Sequence, residues 1–176
     1  RKNKDSKNYQ TFRKKKEFNN QLDKCYLLLG KAYFYKKKYT MANNTFRFIQ
    51  RQYAEDEALM TEVSIWLFRS LTEMGRYEEA ARIMDRLDGS TLKRKQREMV
   101  AAARTDFYVR QGMYEQAIPE AERLVRTCKS IKRKPRYNFL LSQLYVKENQ
   151  DGAAKLALKK ATRFNFNYEM VFNARI

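Results

Sequence analysis

Histidine is absent from all 176 residues, and glycine, proline and cysteine are scarce, at 5, 2 and 2. The first absence removes the commonest general acid/base and the commonest metal ligand. Most hydrolase and metalloenzyme sites thereby lose their main residue. The glycines form neither G-x-G-x-x-G nor G-x-x-x-x-G-K, so no phosphate-cradling loop is visible. Cys25 and Cys128 stand too far apart for a metal-ligand spacing and form no disulfide framework. They read as small, partly buried hydrophobes. No run approaches the eighteen or so apolar residues that span a bilayer, and no signal-peptide h-region is present. The segment is expected to be soluble. It starts at Arg1 rather than methionine and stops within Asn167, Tyr168, Val171 and Phe172, a pattern that reads as the first turns of another helix. A piece of a longer protein is therefore expected.

What is present is charge and helix-forming sequence. Lys and Arg number 38 against 20 Asp and Glu, a formal net charge of +18, with 43% hydrophobic residues. That apolar fraction suffices for a core that a disordered basic tail could not build. Abundant Leu, Ala, Lys, Arg and Glu at three- and four-residue spacings predict helices throughout.

Aligning the chain with itself shows four related segments. The first contains Leu29-Gly30, Tyr33, Tyr39, Ala42, Phe46 and Ile49. The second contains Leu67, Leu71, Gly75, Tyr77, Ala80, Met84 and Leu87, and the third Tyr108, Gly112, Tyr114, Ala117, Ala121 and Leu124. The fourth has Leu141, Tyr145, Asn149, Asp151, Ala154, Leu158 and Ala161. The small residue of each second helix, Ala42, Ala80, Ala117 and Ala154, recurs at steps of 38, 37 and 37. Each unit reads as helix, tight turn, helix, with Lys37, Gly75, Gly112 and Asn149 at the turn. Gly or Asn suits a helix C-cap because the left-handed backbone costs it least, which makes Lys37 the poorest of the four.

Short amphipathic helix pairs cannot bury their apolar faces alone, whereas stacked pairs share a continuous core. The alanines are expected at the closest helix approaches, with Tyr33, Leu71, Tyr108 and Tyr145 beside them. The expected division is a basic N-terminal segment over 1–21, units at about 22–54, 58–91, 96–130 and 134–166, and the start of a further helix over 167–176. Pro119 falls about one turn into a second helix, where its ring and missing N–H should kink or delay that helix. Pro135 takes a comfortable first-turn position. Trp66, in the run Ser64-Ile65-Trp66-Leu67-Phe68, reads as a core residue with its indole N–H satisfied at the edge.

These residues resemble the tetratricopeptide repeat over about residues 22–166. The period exceeds the usual 34 residues or so, and the closing proline of that repeat is missing. The resemblance implies an all-α fold, a right-handed superhelical α-solenoid of helix-turn-helix repeats, whose first helices line a concave groove for a peptide. Carried over position by position, that groove holds Lys24, Leu27, Lys31, Phe34 and Tyr35, then Glu62, Ile65, Arg69 and Glu73. The third and fourth units supply Met99, Asp106, Val109 and Arg110, then Arg136, Phe139, Gln143, Val146 and Lys147. The expected partner-binding residues are Lys24, Lys31, Phe34, Tyr35, Arg69, Arg110, Arg136, Phe139 and Lys147. The aromatic side chains would anchor apolar groups, and the cations would pair with carboxylates. The Lys/Asn clamp with which a subset of the family grips chaperone tails is not reproduced, since its positions carry Leu27, Lys31, Trp66, Met99 and Ala103.

The positive charge is uneven: +11 over residues 1–50, −1 over 51–100, +5 over 101–150 and +3 over 151–176. Local runs are Arg13-Lys14-Lys15-Lys16, Lys36-Lys37-Lys38, Lys93-Arg94-Lys95 with Arg97, and Lys132-Arg133-Lys134 with Arg136. The last two fall at N-terminal ends of first helices, where cations oppose the helix dipole. Nucleic acid is one partner such charge suggests, but no helix-turn-helix, RRM, KH or zinc-finger motif is present. An acidic protein or an anionic membrane surface accounts for the charge equally well, and so does a solvated face with no partner.

The stretch Leu22-Asp23-Lys24-Cys25-Tyr26-Leu27-Leu28-Leu29-Gly30-Lys31-Ala32-Tyr33-Phe34-Tyr35, followed by Tyr39, Ala42, Phe46, Ile49 and Tyr53, is similar to a narrower group. So is Tyr168-Glu169-Met170-Val171-Phe172-Asn173-Ala174-Arg175-Ile176. These are the tetratricopeptide lipoproteins of Bacteroidetes that support gliding motility and type IX secretion, the SprE and PorW kind. That resemblance implies a scaffold on the periplasmic face of the outer membrane, held by a lipid on an upstream cysteine. The functional expectation is a non-catalytic protein–protein interaction scaffold with an acidic protein or peptide partner, without cofactor, metal or small-molecule substrate. The alternative is binding of nucleic acid or an anionic surface through the basic N-terminal region.

Overall fold

Four turns with one hydrogen-bond pattern organise the chain. In the computed structural model, which describes residues 21–87 and 92–162, a residue with positive φ ends the first helix of each pair. These are Lys37 (58°), Gly75 (71°), Gly112 (72°) and Asn149 (55°). The next residue in each case sends its N–H back five positions: Lys38 to the Tyr33 carbonyl, Arg76 to Leu71, Met113 to Tyr108 and Gln150 to Tyr145, at 2.9, 2.9, 2.9 and 2.8 Å. Inside each lies a bond that reaches back only three positions, such as Lys37 N–H to Phe34 O at 2.9 Å and Gly112 N–H to Val109 O at 3.0 Å. This is the Schellman arrangement, which satisfies the last carbonyls of a helix while reversing the chain.

The helices are α1 (Leu22–Tyr35), α2 (Tyr39–Gln52), α3 (Glu57–Glu73), α4 (Tyr77–Arg86), α5 (Arg94–Arg110), α6 (Tyr114–Thr127), α7 (Lys134–Lys147) and α8 (Asp151–Thr162). No strand occurs among the described residues. The fold is an all-α solenoid of repeated helix pairs. Local chemistry supports the boundaries. Asp56 accepts the Leu59 N–H at 2.9 Å and caps α3. Gln96 Oε1 accepts the Lys93 N–H at 2.9 Å at the start of α5. Glu78 and Glu79 open α4 and Arg86 closes it, each on the side the helix dipole favours. Residues 1–20 of the expected N-terminal segment 1–21, the expected further helix over 167–176, and the unit ends at 88–91 and 163–166 lie outside the described residues.

Within pairs, α1 packs on α2, α3 on α4, α5 on α6 and α7 on α8. Between pairs, α2 packs on α3, α3 on α5 and α6 on α7. Ala42, Ala80 and Ala117 are fully buried, and Ala154 is nearly so. One core joins the first two pairs to α5 through Phe46, Trp66, Phe68, Leu71 and Phe107, with the Phe68 and Phe107 ring centroids 5.4 Å apart. A second core joins α6, α7 and α8 around Ala117, Ala121, Leu141 and Ala157, and Tyr108 packs against both.

Two local expectations change. Helix α6 starts at Tyr114, in register with Tyr39 and Tyr77, and runs through Pro119 without a break. Pro119 and Glu115 face solvent, so the carbonyl that loses its N–H partner can be hydrated and the helix is not delayed. Cys25 is exposed, whereas Cys128 is buried; burial pushes the Cys128 thiol above its ordinary pKa. The repeat position Leu29 is also exposed, at 42%.

Candidate functional site: a cleft between the first helices

Side chains from α1, α3, α5 and α7 meet around a cleft of about 400 Å³. Tyr35 comes from α1, Arg69 and Glu73 from α3, Met99, Ala102 and Asp106 from α5, and Arg133 and Tyr137 from the start of α7. The Ala102 and Ala103 side chains keep this part of α5 low, which leaves the space open.

One wall is aromatic. Trp66 is 5% exposed and touches Phe34, Tyr35 and Phe46, with ring centroids 5.3, 5.7 and 6.3 Å away. The Arg69 guanidinium lies 4.3 Å from the Trp66 centroid and 4.6 Å from that of Phe34. Two ring faces hold the cation by cation–π attraction. Arg69 makes no ion pair among the described residues and lines the cleft. Tyr35 stands beside it, 71% exposed. The expected edge partner for the Trp66 indole is not found: its buried N–H has no hydrogen-bond acceptor.

Two other cations expected to meet a partner, Lys31 and Arg110, are engaged within the protein. Lys31 Nζ pairs with Glu62 at 2.6 Å, joining α1 to α3. Arg110 donates to Glu73 at 2.7 Å and to Asp106 at 3.0 Å, joining α5 to α3. Burial and the adjacent Glu73 carboxylate push the Tyr39 hydroxyl above its ordinary pKa. Arg133 lies 3.0 Å from Glu98, an ion pair without hydrogen-bond geometry that joins the start of α7 to α5. The face built by the first helices is thus a set of ion pairs between neighbouring units, with positive and negative groups alternating. A uniformly basic lining is not what these contacts build.

The structure divides the remaining expected residues. Phe34 is buried at 7% and belongs to the core, so its ring supports Arg69 instead of meeting a ligand. Phe139 and Lys147 line a separate, more apolar cleft of about 510 Å³ with Val109, Val146 and Leu158. Lys24 and Arg136 are exposed and belong to neither cleft. Sequence reasoning missed Glu98, Arg133 and Tyr137. Glu98 sits in the second turn of a helix otherwise opened by cations, and that isolation is the signal that could have marked it.

Arg104 braces the repeat stack from within. Its Nη2 donates to the carbonyls of Met84 and Leu87, both at 3.1 Å, and so ties the end of α4 to α5. Among the described residues no group of three or more Cys, Asp or Glu is placed to hold a metal ion.

No curated protein matches the chain. Residues 135–168, which take in α7 from Pro135 and all of α8, match the family model described as tetratricopeptide repeat.

Proposed function

We propose that the chain is a non-catalytic protein-interaction scaffold whose cleft between α1, α3, α5 and α7 takes an acidic segment of a partner protein. Tetratricopeptide repeats generally mediate protein–protein interactions, and the observation that carries the site is Arg69. Its guanidinium is held against the faces of Phe34 and Trp66 yet has no carboxylate of its own, so a carboxylate can pair with it at a reduced ordering cost. Exposed Tyr35 beside it supplies a rigid apolar surface for a neighbouring side chain. Lys31 and Arg110 keep the helices in register and serve the site indirectly.

Selection from a displayed random-peptide library tests this. Enrichment of sequences with an Asp or Glu next to an apolar residue, lost on Arg69→Gln, is the expected result. Enrichment that ignores charge, or that survives the substitution, contradicts it.

At a finer level we infer an envelope component, tethered at the periplasmic face of the outer membrane and serving secretion or gliding motility. The support is the similarity of Leu22–Tyr35 and Tyr168–Ile176 to type IX secretion lipoproteins. A lipoprotein signal ahead of Arg1 in the complete reading frame, with lipid on its cysteine in the mature protein, is the expected finding. A reading frame without any export signal would refute that inference.

A further inference from the structure

We propose that the edge where α5 and α7 begin is a peripheral binding surface for an anionic bilayer, with Ile131 entering the membrane and the surrounding cations meeting lipid phosphates. The connection from α6 to α7 carries Lys129, Lys132 and Arg133, and Lys134 opens α7, all four exposed. The run from Lys93 to Arg97 at the start of α5 adds exposed cations. Two contacts hold these runs side by side: Arg94 Nη1 donates to the Thr127 carbonyl at 3.2 Å, and Arg133 pairs with Glu98 at 3.0 Å. Neither run contains Asp or Glu. The adjoining carboxylate, Glu98, is buried and already faces Arg133. The patch therefore keeps its charge. Cations at helix N-termini work against the dipole, so helix stability does not account for them.

Ile131 decides among polyanions. It is 62% exposed, at a turn with Lys129 on one side and Lys132, Arg133 and Lys134 on the other. A nucleic-acid duplex keeps its apolar base faces stacked behind the phosphates, and an apolar side chain reaches them only at the cost of unstacking a base step. A bilayer offers hydrocarbon immediately beneath its phosphates, the arrangement that an apolar tip ringed by cations complements. The prevalence of lysine points the same way: flexible, compact charges suit a fluid layer of headgroups, whereas fixed bidentate recognition favours arginine. No helix of the described residues is long and apolar enough to cross a membrane, and the proposed contact is a surface one. It adjoins the cleft that holds Arg69 at Arg133 and Glu98, whereas Ile131, Lys129, Lys132 and Lys134 are not part of that cleft's lining, so the contact does not depend on what binds there.

Flotation of the full chain with vesicles of phosphatidylcholine, with and without about one third phosphatidylglycerol, is the test. The expected result is binding to the anionic vesicles alone, weakened by salt. Joint Lys129→Glu, Lys132→Glu and Lys134→Glu substitution should reduce it by tenfold or more, since each cation near the surface contributes about 1 kcal/mol. Ile131→Ser should weaken it several-fold at unchanged charge, and Ile131→Trp should give a blue-shifted emission component on anionic vesicles. The exposed positions chosen leave Arg133 and Glu98 intact, and circular dichroism confirms the fold of each variant. The proposal is overturned by absence of vesicle binding, or by binding indifferent to Ile131. It is equally overturned if binding is lost only on reversing Lys14, Lys15 and Lys16, or if the Lys129–Lys134 patch binds duplex DNA and ignores vesicles.

Discussion

The ring of Phe46 lies so close to the backbone of Gly30 that a Cβ placed there would overlap its Cε1. Glycine at this position lets α1 and α2 approach, and Phe46, fully buried, fills the space. Gly30→Ala must push a ring that has nowhere to go. Overpacking costs about 1 to 3 kcal/mol, set against roughly 1 kcal/mol gained by alanine's better helix propensity. The expected net effect is a loss of about 1 kcal/mol in urea unfolding. In a Phe46→Leu background the same change should cost less, because the smaller side chain relieves the clash.

Lys37 occupies the left-handed turn conformation that glycine holds at Gly75 and Gly112. A side chain in that region costs about 1 kcal/mol or more. Lys37→Gly is expected to raise stability by roughly 0.5 to 1 kcal/mol, after allowing for glycine's greater unfolded-state entropy. Gly75→Ala and Gly112→Ala should each lower it by about 1 kcal/mol. A Cβ at either glycine meets nothing within 4 Å, so any loss is backbone strain alone. Thermal unfolding of the three variants checks both signs.

Lys31 and Glu62 join α1 to α3 through a partly exposed ion pair. Lys31→Glu should destabilise the protein by about 1 kcal/mol, and adding Glu62→Lys should recover most of it. A double-mutant cycle measures the coupling.

The turns and the buried alanines were legible in the sequence because they recur at one spacing, and each follows from local chemistry: a left-handed cap, or a side chain small enough for two helices to meet. The pairing of Lys31 with Glu62 and of Arg110 with Glu73 was not legible. These partners are 31 and 37 residues apart, and which side chains meet across units depends on the stacking angle, which no short pattern records. The same limit explains Phe34. Its position on the helix face pointed to the cleft, whereas the approach of Trp66 from the next unit covers it. Pro119 misled for a different reason: the cost of a proline inside a helix depends on whether the freed carbonyl reaches water.

Tyr145 donates its hydroxyl to Glu122 at 2.5 Å. Burial, then that hydrogen bond and the carboxylate charge, push its pKa up to about 12 from the ordinary 10.0. The folded value is the higher one, so the stabilisation is fully present below about pH 10 and is lost as pH rises through about 12. Unfolding free energy should fall across that window in the wild type and fall less steeply in Tyr145→Phe. The variant should also be about 1 kcal/mol less stable near neutrality, from the lost hydrogen bond.

Arg69 is the most direct test of the docking account. Calorimetric titration of a library-selected acidic peptide into the wild type, Arg69→Gln and Lys31→Gln compares an unpaired cation with one already engaged by Glu62. The account predicts that Arg69→Gln weakens binding by about tenfold or more, the size of a charge-assisted hydrogen bond, while Lys31→Gln changes stability more than affinity. Equal affinity of Arg69→Gln and the wild type would contradict it.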